Sequence, residues 1–235
     1  MRAILCGPQN KRPDLNSVTV CDAVIPFSST IRDLGLHLDR GVTLEDHISA
    51  VVKGCYFHLR SLGKLRPSLT VKAATAIAVA LVLSRLDYCN SCLWGLPDQQ
   101  LKRLQMVMNT AARIVTRTKR NDHITPVLKE LHWLPVKQRI DHKVLSLVYK
   151  CVNGTAPVYL QDIVQQHAPQ RQLRSASQSR LRIPSFDENR KKSLGFRAFR
   201  NAAPKLWNIL PQSLKNSPST TTFKKRLKTH LFSNL

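Results

Sequence analysis

The chain has 235 residues, of which 43% are hydrophobic and 6% aromatic, so it is long enough and apolar enough to bury a core. Its 37 lysines and arginines against 14 aspartates and glutamates give a net charge of +23 at pH 7. In a compact fold these positive side chains repel one another and destabilise the folded state, so a polyanionic partner is expected. Nucleic acid is the first candidate for that partner and an anionic membrane surface is the second. The longest uncharged run, between Lys72 and Arg85, is shorter than the ~18 residues of a spanning helix. The sequence therefore argues against a transmembrane protein.

Short strands are expected over residues 1–40. Residues 3–6 are apolar and end at a Gly-Pro pair, and residues 18–20 and 23–25 flank a two-residue turn that predicts a hairpin. Apolar and polar or small residues alternate over residues 34–38, which predicts a half-buried strand. These strands are too few for a sheet of their own. We expect them to complete a sheet that begins elsewhere.

Helical spacing of apolar residues begins near Thr43, so residues 41–166 are expected to form a helical bundle. Thr43 and Asp46 predict a capping box for the first helix, which runs to residue 65 and stops before Pro67. A second, nearly all-apolar helix is expected from residue 71 to about residue 88, with Thr70 as its cap.

Three more helices are expected in the same region. The third begins at Asp98 and shows one apolar face, formed by Leu101, Leu104, Met108, Ala112 and Val115. The fourth has Pro135 in its first turn and Gly154 just past its end, and residues 157–166 form a shorter fifth. The opposite face of the third helix and the loop after it are basic and carry these cations: Lys102, Arg103, Arg113, Arg117, Lys119 and Arg120.

Composition changes after residue 166. Residues 167–192 are rich in Gln, Ser and Arg and predict a basic linker, and residues 193–235 form a basic, partly helical C-terminal segment. In that segment cations alternate with aromatic residues, a combination that suits phosphate pairing and base stacking. An equally weighted interpretation makes the aromatic residues core anchors and the cations a solvated face. The candidate binding residues are Arg197, Arg200, Lys224, Lys225, Arg226 and Lys228.

Motifs for catalysis or metal binding are weak. Cys89 and Cys92 form a lone CxxC without a second ligand pair, and the histidines show no ligand spacing, so no metal and no cofactor is expected. Two-metal nucleotidyl transfer needs converging carboxylates, yet the adjacent acidic pairs are Glu45-Asp46 at a helix start and Asp187-Glu188 in the linker. No catalytic residue is predicted.

Ordered motifs along nearly the whole chain resemble the region after the polymerase palm in non-LTR, LINE-type retrotransposon reverse transcriptases of the L2/CR1/Rex-like groups. The central motifs are SRLDYCN (84–90), LKRLQ (101–105), DHITP (122–126) and LHWLPV (131–136). Flanking matches are residues 31–38, 44–47, 149–157, 202–208 and 223–232.

This resemblance implies a mainly α chain: remnant palm-edge strands at 1–40, a thumb-like helical region at 41–166, the linker, and the basic tail at 193–235. The family's paired palm aspartates and its nuclease would lie upstream, so the chain is expected to be a non-catalytic fragment of an RNA-directed DNA polymerase. Its implied role is to hold RNA or an RNA–DNA duplex mainly through phosphates. The resemblance makes the basic face of the third helix the candidate thumb contact, with these nucleic-acid-binding residues: Lys102, Arg103, Arg113, Arg117, Lys119 and Arg120.

Other hypotheses remain open from the sequence. An active polymerase is disfavoured by the absent acidic pair, whereas a helical protein-interaction module is favoured by the orphan N-terminal strands, which a protein partner would complete. Decaying element sequence without a selected function is the remaining alternative. No signal peptide follows Met1, so the scattered cysteines predict reduced thiols in an intracellular protein, nuclear or cytoplasmic.

Overall fold

The computed structural model describes residues 3–7, 15–166, 179–184 and 194–233, and the chain in these ranges is mainly helical, as predicted. It divides into two compact units. Unit 1 comprises Met1–Cys89 and Leu96–Arg117, and unit 2 comprises Asn90–Gly95 and Thr118–Leu235. Apart from residues 179–184, the predicted linker lies outside the described residues.

The first strands of unit 1 form the predicted hairpin. β1 (Ser17–Val20) pairs antiparallel with β2 (Ala23–Pro26), and Val20 lies opposite Ala23. Cys21 and Asp22 make the two-residue turn with φ of 48° and 61°. Two left-handed residues are what a tight hairpin requires, because their twist matches that of the strands.

A second hairpin follows, and it corrects the prediction of a strand over residues 34–38. β3 (Thr30–Asp33) pairs with β4 (Leu36–Asp39), and Leu34 lies in the turn between them, 85% exposed. Leu34 and Gly35 have φ of 44° and 85°, which no strand accepts. The expected strand at residues 3–6 is also wrong. Within it Ala3 alone forms a bridge, a parallel one to Phe27, and residues 4–6 have no strand structure.

The Asp39 side chain caps the start of helix α1 (Glu45–Leu65), a contact that the sequence analysis did not predict. Asp39 Oδ1 accepts from the backbone N–H of Gly41 (2.9 Å) and Thr43 (3.0 Å), and its Oδ2 accepts from Leu44 N–H (2.8 Å) and Thr43 Oγ1 (3.0 Å). The predicted capping box at Thr43 and Asp46 is therefore wrong, because the N-cap is Leu44 and it makes no side-chain cap.

Replacing Asp39 with alanine is expected to destabilise the start of α1 by about 1–2 kcal/mol, the usual cost of losing a cap. Burial acts to raise the pKa of Asp39, but hydrogen bonds from Thr43, Leu44 and Gly41 outweigh it and leave the pKa lowered. The contribution of Asp39 is therefore full above pH ~3.8 and is lost as the pH falls through the lowered value. Hydrogen exchange of α1 amides measures the effect, and unchanged protection in D39A would contradict it.

The helices of unit 1 follow the predicted positions closely. α2 (Val71–Ala78) begins at Thr70, whose hydroxyl accepts from Ala73 N–H, and it continues through a π-helical turn (Val79–Leu83) into α3 (Ser84–Asp87). α4 (Asp98–Thr116) packs against α1. Their contact buries the predicted apolar faces, with these side chains at most 2% exposed: Ile48, Cys55, Leu59, Leu104, Met108 and Ala112.

Unit 2 is built on α6 (Val136–Val152), which follows α5 (Ile124–Glu130). Pro135 is the N-cap of α6 rather than a residue of its first turn, one position before the predicted place, and Gly154, with φ of 67°, lies just past the helix end as predicted. The expected fifth helix over 157–166 is shorter, because Val158 and Tyr159 are about 70% exposed and no buried face sustains it. The remaining elements are a 3-10 turn (Asn90–Leu93), α7 (Val158–Gln161), α8 (Leu194–Arg197), α9 (Phe199–Ile209), α10 (Gln212–Lys215) and α11 (Thr220–Ser233).

The core of unit 2 lies where α6, α9 and α11 meet. Trp207, Phe223 and Leu227 have no exposed surface, and Phe223 stacks on Tyr149 with ring centroids 4.3 Å apart. The tail aromatics Trp207 and Phe223 are therefore core anchors, which leaves the opposite side of α11 facing solvent. Among the described helices, none combines the length and hydropathy needed to cross a membrane.

Candidate nucleic-acid interface

Some of the cations on the predicted basic face of α4, in unit 1, make hydrogen bonds to other groups of the protein. Lys102 is exposed. Arg103 is half-buried and donates to Ser49 Oγ (2.8 Å) and Gln100 Oε1 (3.0 Å), so its guanidinium is bound to neighbouring side chains. Of the candidate cations near the start of α4, Lys102 is thus the more accessible.

At the other end of α4, Arg113 is half-buried, and Arg117 follows the last turn with φ of 59°. The Arg117 guanidinium donates to the carbonyl oxygens of Arg66 (3.1 Å) and Pro67 (3.2 Å). These bonds give Arg117 a structural role in addition to any contact with a ligand. The remaining candidates of this set, Lys119 and Arg120, are exposed and belong to unit 2.

Helix α11 presents the tail cations as predicted from its spacing. Ser219 Oγ accepts from Thr222 N–H (3.1 Å) and caps the helix start. Phe223 and Leu227 then fix the buried side. Because the following residues point away from these anchors, four cations are exposed on the helix: Lys224, Lys225, Arg226 and Lys228.

Helix α6 adds two basic side chains that the sequence analysis missed. His142 Nε2 lies 3.2 Å from the carbonyl oxygen of Lys224. Burial lowers the pKa of His142; this hydrogen bond opposes the shift, and the charges of Lys224, Lys228 and Arg139 add to it, so the pKa is lowered. Burial and then Arg139 likewise lower the pKa of Lys228. We call Arg139, His142, Lys224 and Lys228 the α6–α11 cluster. The positive charges of this cluster repel one another, so an anion bound there would stabilise the protein.

A sequence signal for this cluster existed. Arg139 and Lys143 are four residues apart, which places them on one side of a helix, and Lys143 is exposed. The apolar residues of α6 predict its buried side, and these two cations mark the opposite, polar side. The pairing of α6 with α11 is a tertiary contact between residues 82 positions apart, and local spacing does not reveal it.

The two other predicted tail residues lie near the start of α9. The aliphatic part of Arg197 packs over Gly95, where a Cβ would come within 2.9 Å of Arg197 Cγ and where φ is 75°. Arg200 is exposed. Nearby, the Lys205 ammonium lies 3.7 Å from the ring centroid of Phe196, which itself stacks on Trp94. Neither Arg197 nor Arg200 is a member of the α6–α11 cluster.

The acidic and metal-ligating residues of the described chain form no group of three or more that would hold a metal ion. Glu45, at the start of α1, accepts from Gln100 Nε2 at 2.9 Å, and Asp187 and Glu188 lie outside the described residues. All six cysteines are present as thiols. Burial raises the pKa of the Cys55 thiol to about 11, which makes it unreactive near neutral pH.

Comparison of the chain with protein-family models, with curated proteins and with solved structures found no match.

Proposed function

We propose that the chain binds RNA or an RNA–DNA duplex mainly through phosphates and catalyses no reaction on it. The observation that carries this proposal is the α6–α11 cluster, in which cations of two helices converge beside exposed Lys225 and Arg226. Unit 2 also holds 22 of the 37 lysines and arginines but 6 of the 14 acidic residues. Phosphates are the abundant anions that a charge excess of this kind attracts.

The same proposal includes an origin for the chain. The motifs quoted above support its being the thumb and post-thumb part of a LINE-type reverse transcriptase, with strands 1–40 derived from the palm edge. A thumb grips a duplex by its backbone rather than by base edges. Phosphate contacts position a ligand without reading its sequence, so binding by the α6–α11 cluster is sequence-tolerant.

The first experiment is a salt titration of binding by the purified chain. Labelled RNA–DNA hybrid, duplex DNA and single-stranded RNA of equal length and two unrelated sequences are titrated between ~50 and ~300 mM salt. We expect the logarithm of the affinity to fall linearly with the logarithm of salt, similarly for both sequences. No binding to any of the three at ~50 mM salt would refute the proposal.

Lowering the pH from about 7.5 to about 6.2 is expected to strengthen binding to the hybrid. Burial, together with the charges of Lys224, Lys228 and Arg139, lowers the pKa of His142 and disfavours its protonation in the free protein, and a bound phosphate would offset those charges and raise that pKa. Each pKa unit regained strengthens binding by at most about tenfold at the acidic end. Affinities measured at constant ionic strength test this, and His142→Gln should flatten the rise.

Asp141 needs its own control in that experiment, because burial raises its pKa to about 6 and its protonation also adds positive charge. Asp141→Asn should retain the rise that depends on His142. In the free protein the lowered pKa of His142 has the opposite consequence, since the unfolded chain takes up the proton first and the contribution of His142 to stability falls below pH ~6.5, whereas the raised pKa of Asp141 acts in the other direction. A rise that persists unchanged in H142Q would show that another group is responsible.

A protein partner that completes the N-terminal sheet is the second candidate function. Among the described residues, β1–β2 and β3–β4 are separate two-stranded sheets, and Val18, Val20 and Val24 are 37–67% exposed. Two-stranded sheets are marginal by themselves and gain stability from a further strand. A complex that survives high salt, together with absent nucleic-acid binding, would favour this function.

We further propose an intracellular location, where thiols such as exposed Cys6 and Cys21 stay reduced.

A further inference from the structure

An extended segment of unit 2, residues 179–184, is held by hydrogen bonds to neighbouring elements although it is not part of a regular sheet. Leu181 N–H donates to Asn208 Oδ1 and Asn208 Nδ2 donates back to Leu181 O, both at 2.9 Å. Arg182 N–H donates to Gln165 O (2.9 Å), and Trp207 Nε1 donates to Ser179 O (2.9 Å). Leu181 is 3% exposed, so its side chain anchors the segment in the core.

Two arginines flank this anchor and border an open cleft of about 420 Å³. The cleft is lined by Arg180, Leu181, Arg182, Ile183 and Asn208. Side chains two positions apart in extended backbone point to the same side, roughly 6.6 Å apart, and Arg180 and Arg182 are both exposed there. Both polar atoms of the Asn208 amide are used on Leu181, so Asn208 positions the segment and the arginines are the groups that meet a ligand.

A buried lysine, Lys215, lies near enough to Arg180 to feel its charge, although it does not itself line the cleft. Lys215 is 9% exposed, and its ammonium lies 5.8 Å from the ring centroid of Trp207. Burial and then the charge of Arg180 lower the pKa of Lys215, which places the two cations close enough to repel. An anion bound beside Arg180 relieves this repulsion.

We propose that this cleft binds phosphate groups of a single-stranded nucleic acid, with Arg180 and Arg182 pairing with neighbouring phosphates. A guanidinium offers two parallel N–H donors to a phosphate, which is the reason arginines suit this task. Ile183, 54% exposed at the same cleft, gives a base an apolar surface. The two arginines lie on one extended segment, roughly 6.6 Å apart, a spacing that suits neighbouring phosphates of one strand, whereas the α6–α11 cluster lies on two helices. The inference rests on the proposed function and specifies a second site with no residue in common with the first.

The first arm of the test uses inorganic phosphate and NMR of the arginine Nε–Hε groups in the whole chain. We expect the Arg180 and Arg182 signals to shift with saturation. Arg60, exposed on α1, should show small, non-saturating shifts and serves as the reference. Absence of saturable shifts at Arg180 and Arg182 would overturn the site.

The second arm measures affinity for single-stranded RNA and for RNA–DNA hybrid with R180A/R182A. Loss of two phosphate contacts should reduce the salt slope for single-stranded RNA by about 1.4 and the affinity about 25-fold at ~0.1 M salt. Hybrid affinity should change less than twofold. The matched control is R32A/R60A, two exposed arginines of unit 1, for which no comparable loss is expected. All four positions are exposed, and circular dichroism confirms that each variant is folded.

The outcomes separate this inference from the proposed function. If R180A/R182A lost affinity for single-stranded RNA and for hybrid equally, the single-strand assignment would be overturned. It would also be overturned if R32A/R60A lost as much affinity for single-stranded RNA as R180A/R182A. If R180A/R182A bound RNA as tightly as the wild-type chain while hybrid binding still depended on Lys224 and Lys228, the cleft would be ruled out as a binding site and the proposed function would stand. A wild-type chain that binds no nucleic acid would overturn both.

Discussion

Replacing Lys224 and Lys228 with alanine is expected to weaken binding to an RNA–DNA hybrid about 60-fold at ~0.1 M salt. Each phosphate contact made by a cation contributes about 0.9 to the salt slope for a B-form duplex, so two lost contacts reduce the slope by about 1.8. The loss should shrink as salt rises and nearly vanish at ~1 M. Both lysines are exposed on α11 and lie beside Arg139 and His142, so their removal also lowers the potential acting on a phosphate.

The control for this prediction removes the same charge elsewhere. Lys53 and Lys64 are exposed on α1 of unit 1, and K53A/K64A changes the net charge by the same amount. We expect this variant to lose less than about threefold, because general attraction by the net charge is screened beyond a Debye length of about 10 Å at ~0.1 M salt. If both double variants weaken binding equally, total charge governs the affinity and the α6–α11 cluster is not the interface.

Neither double variant should unfold the chain, because the stabilising contacts of α11 come from the other side of the helix. Phe223 stacks on Tyr149, and Leu227 is fully buried in the core of unit 2. Burial slightly disfavours the charge of Lys228, so its removal costs little stability. Thermal unfolding followed by circular dichroism should place both variants close to the wild-type chain, which keeps the affinity change interpretable.

Much of the fold follows from local patterns in the sequence. The apolar spacing of α1, α4 and α6 predicts their positions to within two residues at most ends, and Pro67, Thr70 and Gly154 mark boundaries that the structure confirms. Such signals work because capping and periodicity depend on neighbours along the chain. The hairpin turn at Cys21 and Asp22 is equally local.

Features that depend on distant residues were not predictable in the same way. Asp39 caps α1 from the end of a strand, and the candidate binding groups on α6 and α11 meet only after folding. The pattern of charges along the sequence also does not distinguish a cation that is free to meet a ligand from one that makes hydrogen bonds within the protein. Arg103 and Arg117 show the difficulty, because both were predicted as binding residues and both donate hydrogen bonds within unit 1.

Arg66 is the clearest case of a cation used by the fold, and Arg66→Ala is expected to destabilise unit 1 by about 3 kcal/mol. Arg66 is 7% exposed, and its Nε donates to the carbonyl oxygens of Ile114 (3.1 Å) and Val115 (2.9 Å). Its two terminal nitrogens donate to Val115 and Leu69, each at 2.7 Å. Ile114 and Val115 belong to the last turn of α4, where carbonyl groups lack partners within the helix and a positive charge is favourable.

Hydrogen exchange resolved by peptide is the suitable measurement, because a chain of two units need not unfold in one step. In R66A the amides of α1 and α4 should lose protection corresponding to about 3 kcal/mol. Arg66→Lys should lose less, since it keeps a charge near the helix end but lacks the planar fork that reaches three carbonyl groups. Arg117→Ala is the matched control, because this exposed side chain makes two longer bonds, to Arg66 and Pro67, and should cost about 1 kcal/mol. Equal protection in R66A and the wild-type chain would show that the buried guanidinium does not stabilise the end of α4.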